Sequence, residues 1–307
     1  MSAVDELLAA DAENAGQWRE NFRKFDPSLP AAFDTAAEMF NTFSRCVEGT
    51  QDESPEQQIL EQYGNANGFT AEEVVQLVAN PKGRSSVPSE VRQAYVRMWA
   101  RRARATVFLL LQRSYMWGAT DLLRMRVTPA EGYCRLEAEA VGLMLLIRED
   151  PSVGDQWWRV ASEEEGRAFF KVTQPKLKER LRGVNLASAY DHGSAAAQHV
   201  RVLSAVSGLS FSETHARLNY QEVREDDHFN YYLAVLSFLS VQVYVFRVLT
   251  DAFPEVTDPI WPQRVQVFIN DVARLWDLLE KHFPSRCKAM RERTEREKSQ
   301  SRPSVSS

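Results

Sequence analysis

Cysteine is scarce in this sequence, because its 307 residues include only Cys46, Cys134 and Cys287, which lie far apart. There is no Cys-x-x-Cys pair, so the spacing supports neither a disulfide framework nor a cysteine zinc site. Free thiols are typical of a reducing compartment, and we therefore expect a cytoplasmic protein. Cys134 lies in a strongly apolar segment and is predicted to be a small core residue.

The features of a leader peptide and of a membrane span are also missing. Residues 1–15 carry four acids and no base, whereas a signal peptide begins with basic residues followed by an apolar stretch. The longest apolar run extends from Tyr231 to Phe246 and is interrupted by Ser237, Ser240 and Gln242. We predict that this run is a buried core helix and that the protein does not enter a membrane.

The common catalytic and cofactor motifs do not occur. The sequence has no phosphate loop ending in Gly-Lys-Ser/Thr, no Gly-x-Gly-x-x-Gly after a strand, no His-Glu-x-x-His and no Gly-x-Ser-x-Gly. Glu225-Asp226-Asp227-His228 contains one Glu-x-x-His, but a di-iron bundle needs a second copy. We interpret those acids as the start of a helix and predict neither a cofactor nor a metal.

Helix signals, in contrast, are abundant, while strand alternation and internal repeats are absent. A Ser or Thr three residues before a Glu or Gln forms a capping box, in which side chains satisfy the free amides of a helix's first turn. This pattern occurs at Ser54–Gln57, Thr70–Glu73, Thr128–Glu131, Ser162–Glu165 and Ser210–Glu213. The chain is therefore predicted to be all-α.

The apolar periodicity and these caps predict a multi-helix bundle. Helices are expected near residues 2–15, 31–48, 55–64, 71–79, 88–126, 129–149, 151–160, 163–182, 186–206, 211–223, 227–252 and 260–283. The core is assigned to the helices near 88–126, 129–149, 186–206, 227–252 and 260–283.

Charge is distributed unevenly and suggests three regions. Residues 1–81 contain fifteen acids and four bases, whereas residues 82–126 contain ten bases and two acids. We predict a small acidic helical segment over 1–85, a helical bundle over 86–285 and a disordered basic, Ser-rich tail over 286–307. The acidic segment and the basic helix are expected to neutralise each other within one molecule.

The basic helix carries a candidate anion-binding stripe. Arg97, Arg101 and Arg104 are spaced by four and three residues, which places them on one helix face. Guanidinium groups in a row suit phosphates or carboxylates, so nucleic-acid binding is one interpretation. Pairing with acidic side chains of the same chain is the interpretation that we favour.

Two other helices carry polar residues on largely apolar surfaces. Arg135 and Glu139 lie four residues apart and are expected to meet, either as a structural pair or at a ligand pocket. The predicted helix near 186–206 carries His192, Ser194 and His199, which can line a site because histidine titrates near neutral pH. These five residues form the candidate polar pocket.

One stretch resembles a helix of bacterial all-helical proteins of unknown function. It runs from Arg135-Leu136-Glu137-Ala138-Glu139-Ala140 to Asp150-Pro151, and Ser194 and His199 stand where those proteins carry a Ser shortly before a His. Over roughly residues 105–250 the chain thereby resembles the HEPN-like class, which implies a helical fold and a bacterial regulatory or defence setting. The nuclease motif of that class, Arg followed after four to six residues by His, is absent here.

The sequence alone supports no specific activity. Our first hypothesis is a non-enzymatic intracellular protein that binds a protein partner or a small ligand, with assembly into a homo-oligomer left open. The second is a hydrolase or nuclease-like enzyme that uses His199 with Arg135 and Glu139. The third is nucleic-acid binding through the arginine stripe.

Overall fold

The computed structural model describes residues 29–50, 54–123, 127–194 and 228–300, and within these ranges every regular element is a helix. The all-α multi-helix fold is therefore confirmed. In chain order the helices are α1 (Leu29–Gly49), α2 (Pro55–Asn67), α3 (Ala71–Ala79), α4 (Pro81–Arg84), α5 (Ser89–Leu123), α6 (Val127–Glu149), α7 (Pro151–Trp158), α8 (Glu163–Gly183), α9 (187–194), α10 (His228–Ala252), α11 (Trp261–His282) and α12 (Pro284–Gln300). The helices predicted near 2–15 and 211–223 lie outside the described residues.

Local capping explains where several helices begin. The side-chain oxygens of Ser54, Thr70 and Ser162 accept hydrogen bonds from the third backbone amide of α2, α3 and α8. Thr128 was also predicted to be a cap, and this is wrong, because α6 already includes Val127. Proline at 129 is tolerated there because first-turn amides have no acceptor within the helix.

A large aromatic core holds most of the molecule together. Phe40 of α1 contacts Phe108 and Tyr115 of α5 and Phe246 of α10, with ring centroids 6.2, 4.9 and 4.8 Å apart. Trp261 of α11 adds its ring at 5.9 Å from Phe246. Four helices from three separate parts of the chain are thus joined by buried aromatic rings, whose removal from water stabilises the contact.

A smaller second core lies at the N-terminal end of α5. Val91, Ala94 and Met98 of α5 pack there with Leu60 of α2 and Val74 of α3, and all five are buried. Arg101 and Glu56 form an ion pair of 3.0 Å beside this core. For this pair, the prediction that the acidic segment neutralises the basic helix is confirmed.

The division predicted near residue 85 does not coincide with the division between the two cores. Helices α2 and α3 pack on the smaller core, but α1 belongs to the main one. The acidic charge of residues 1–81 predicts α1 as part of the small acidic segment. Its buried face, with Phe33, Phe40 and Phe43, makes it part of the bundle.

The described part of the predicted C-terminal tail, residues 286–300, is helical. Residues 284–300 form α12, and Cys287 on its first turns is buried. The segment is rich in strong helix formers, and the polar sequence forms ion pairs such as Arg291 with Glu280 of α11. Residues 301–307 lie outside the described residues.

The apolar run around 231–246 belongs to α10. Among the described residues, Phe229–Ala252 is the one helical stretch that could cross a membrane by length and composition, and 61% of its most apolar window is buried. Such burial is expected of a core helix that is apolar on nearly all sides.

Close packing of α7 on α5 requires glycine at position 154. A Cβ atom there would lie 2.7 Å from the Cα of Ala100, whereas a Cβ at Gly132 in α6 would meet nothing within 4 Å. We expect Gly154→Ala to lower the free energy of unfolding by about 1–3 kcal/mol through overpacking. Gly132→Ala should raise it by up to about 1 kcal/mol, because alanine favours the helix.

Urea denaturation of both variants checks this prediction. Shifts of the same sign in the two midpoints would contradict the close packing of α7 on α5.

Candidate functional site

A pocket of about 630 Å³ lies between the start of α6, residues 185–192, and helices α10 and α11. We call it the α6–α10 pocket. Its floor is apolar and buried, and is formed by Leu122, Leu186, Phe238 and Val241. Its rim is polar and exposed, and is formed by Asn185, Ser188, Asn230 and Ser237. An apolar floor with a few polar groups at the rim is typical of small-molecule sites.

Two further side chains on the pocket wall have defined chemistry. The Nε1 of Trp276 donates a hydrogen bond of 3.1 Å to the Oγ of Ser240, so the indole is held in place. Burial raises the pKa of the Cys134 thiol well above its usual range, and the nearby Glu137 and Glu131 act in the same direction. A thiol that stays protonated is a weak nucleophile, so Cys134 contributes surface rather than reactivity.

One contact between an acid and a histidine lies at the pocket. The Nε2 of His192 is 3.1 Å from Oε1 of Glu131, and both residues line the cavity. Their contact depends on Gly193, where a Cβ would lie only 2.5 Å from the carbonyl oxygen of Glu131. Glycine therefore lets α9 approach α6 closely enough for the pair to form.

The predicted pair of Arg135 and Glu139 is present one turn further along α6. Their side chains form an ion pair of 3.0 Å, and the guanidinium lies over the ring of Tyr190 at 5.6 Å. Neither side chain is among the described lining residues of the pocket. The contact predicted from their spacing is confirmed.

Two further members of the predicted polar pocket, His192 and Ser194, make different contacts. Of these two described residues, His192 lines the α6–α10 pocket, whereas Ser194 donates its hydroxyl to the carbonyl of Tyr190 at 2.7 Å. His199 lies outside the described residues. The site proposed from Arg135, Glu139 and His199 therefore stays a prediction.

The arginine stripe is largely engaged in ion pairs within the chain. Arg101 binds Glu56 and the carbonyl of Thr50, and Arg104 binds Glu255 at 2.7 Å. Arg97 is exposed. Pairing with acids of the same chain, the interpretation favoured from the sequence, is confirmed for Arg101 and Arg104.

Sequence reasoning missed a buried acid next to the pocket. Glu137 of α6 is 0% exposed, and its Oε2 accepts a hydrogen bond of 2.6 Å from the Nε2 of Gln242 in α10, which is also 0% exposed. Glu137 follows Cys134 by three residues and Gln242 follows Phe238 by four, so each lies one turn from the pocket wall. The available signal was a single acid and a single amide within otherwise apolar helices.

The hydrogen bonds of this pair indicate its protonation state. Oε1 of Glu137 and Oε1 of Gln242 are both buried and without a partner. If Glu137 is ionised, both of these oxygens are hydrogen-bond acceptors and neither has a donor. A protonated Glu137 carries a hydroxyl, which is a donor. Burial raises the pKa of Glu137 from 4.5 to about 8, although the bond from Gln242 lowers it.

The described residues hold no group of three or more His, Cys, Asp or Glu side chains placed to bind a metal ion. Comparisons with protein-family models, with curated proteins and with solved structures give no match for the chain. The case for function therefore depends on the geometry of the site.

The buried acid leads to a prediction about pH. Between pH values near 4.5 and 8 the folded chain holds a proton on Glu137 that the unfolded chain has lost. The free energy of unfolding should therefore fall with rising pH by about 1.4 kcal/mol per unit in this window. Glu137→Gln, which is neutral throughout, should remove this component of the slope.

Urea denaturation at several pH values between about 5 and 8 measures the slope. Glu139→Gln, a partly exposed acid two residues further along α6, is the matched control and should keep it. Equal slopes for wild type and Glu137→Gln would contradict protonation of the buried acid.

Proposed function

We propose that this chain is a non-enzymatic binding protein that holds a small, mostly apolar molecule in the α6–α10 pocket. The observation that carries the proposal is the combination of an apolar floor, a polar rim and a volume of about 630 Å³. Pockets for small molecules generally measure about 300–1,000 Å³ and combine these two kinds of surface.

The charges of the pocket favour a neutral ligand. Glu131 is the one carboxylate among the described lining residues, its Oε1 lies 3.1 Å from the Nε2 of His192, and neither Lys nor Arg is among those lining residues. A ligand with a net charge would therefore enter without a free counter-ion in this part of the pocket. Asn185 and Asn230 at the rim can bind a hydroxyl or carbonyl at one end of the molecule.

The same side chains support binding more than catalysis. The Cys134 thiol is held in its protonated form by burial, and the Ser240 hydroxyl accepts the indole hydrogen bond of Trp276. A protonated thiol is a weak nucleophile, so these two side chains support a binding surface.

Filling the pocket tests the proposal. N-phenyl-1-naphthylamine, a neutral apolar dye that fluoresces in apolar surroundings, should bind the wild-type chain. Ala234 of α10 lines the pocket, and Ala234→Phe places a ring in the ligand's volume. We expect this variant to weaken dye binding by about tenfold or more, since displaced apolar contact is worth at least about 1.4 kcal/mol.

The matched control is Ala273→Phe, which adds the same ring on an exposed position of α11. It should bind the dye like the wild type. The unfolding temperature of Ala234→Phe gives a second readout, because the added ring leaves the fold stable only if the pocket has space for it. Absence of dye binding, or equal binding by wild type and Ala234→Phe, would overturn the proposal.

A further inference from the structure

A second concave surface lies at the N-terminal end of α5, away from the α6–α10 pocket, and basic side chains line it. This groove, of about 410 Å³, is formed by the end of α4, the first turns of α5 and the start of α7. Arg84 of α4 and Arg92 and Arg97 of α5 line it together. We call it the arginine groove.

The three arginines of the groove have no acidic partner in the described part of the chain. This distinguishes them from Arg101 and Arg104, which lie further along α5 and form ion pairs with Glu56 and Glu255. The Nε of Arg92 is shielded from solvent and has no hydrogen-bond acceptor. A buried donor of this kind is stabilised when a ligand supplies the acceptor.

The one acid among the described lining residues is already engaged. Oδ1 of Asp150 accepts hydrogen bonds from the backbone amide and the hydroxyl of Ser152, at 3.0 and 2.6 Å, where α7 begins. Three guanidinium groups against one carboxylate leave the described lining with two positive charges in excess. This excess matches an anion of charge about −2.

We propose that the arginine groove binds a dianionic phosphate group, as inorganic phosphate or as a small phosphomonoester. Guanidinium forks donate paired hydrogen bonds to phosphate oxygens, and groups from α4 and α5 converge on one space. The groove also contains Val96 and Pro151, which offer an apolar wall to an organic substituent. This site is separate from the α6–α10 pocket and does not rest on its proposed function.

Calorimetric titration of the full chain at low salt, with phenyl phosphate and with inorganic phosphate, tests the proposal. Arg97→Gln is the main variant, because Arg97 is exposed and its loss leaves the fold intact. We expect it to weaken both ligands by about tenfold, the usual effect of losing a hydrogen bond to a charged group. Tighter binding of phenyl phosphate than of phosphate identifies the phosphomonoester as the preferred source.

Arg113→Gln is the matched control, since Arg113 is an exposed arginine of the same helix outside the groove. It should bind like the wild type, and so should Ala234→Phe. Absence of binding by both small ligands would overturn the proposal, as would equal weakening by Arg97→Gln and Arg113→Gln. Binding of a short nucleic-acid duplex without binding of either small ligand would also overturn it, and would assign the arginines to a nucleic-acid surface.

Discussion

The long helix α5 must bury apolar side chains against two different sets of partners, and the described architecture depends on this constraint. Its first turns pack Val91 and Met98 against α2 and α3, while its later turns pack Phe108 and Tyr115 against α1 and α10. The 35-residue helix is about 52 Å long, so no single partner can cover it. The apolar face consequently changes direction along the helix as the partners change.

Both concave sites lie at the ends of α5, where its partners diverge. Near the C-terminal end, Leu122 forms part of the floor of the α6–α10 pocket, because α6 leaves in one direction and α10 passes in another. Near the N-terminal end, Arg92 and Arg97 face a groove because α4 and α7 meet α5 without covering it. The chemistry of the two sites differs because buried apolar residues such as Leu122 line the first, while arginines that remain partly or fully exposed line the second.

Within the main core, Glu137 and Gln242 link α6 to α10 by a polar contact. A buried acid bonded to a single amide favours one relative position of two largely apolar helices, since a slip leaves the Glu137 carboxyl buried without its partner. The contact lies one turn from the pocket wall on both helices. The shape of the pocket therefore depends on the register that this pair sets.

Local patterns explain how much could be predicted. The bounds of α3 and the contact of Arg135 with Glu139 follow from caps and from a spacing of four residues, which act within one helix. Contacts such as Arg104 with Glu255, or Glu137 with Gln242, join residues 151 and 105 positions apart. No helical period encodes those separations. The sequence therefore predicted an acidic partner for Arg104 without identifying Glu255, and it did not single out Glu137 as a site residue.

The distance between the two sites bears on how their ligands can interact. Arg97 and Leu122 are 25 residues apart on one continuous helix, which corresponds to about 38 Å along its axis. Direct contact between two small ligands is therefore excluded, and screening reduces any charge effect over several Debye lengths. Any coupling would have to pass through a two-state change in the packing of α5. The ring contacts of Phe40 with Phe108 and Tyr115 oppose such a change, because they hold the middle of α5 against α1. The two sites are thus expected to bind independently.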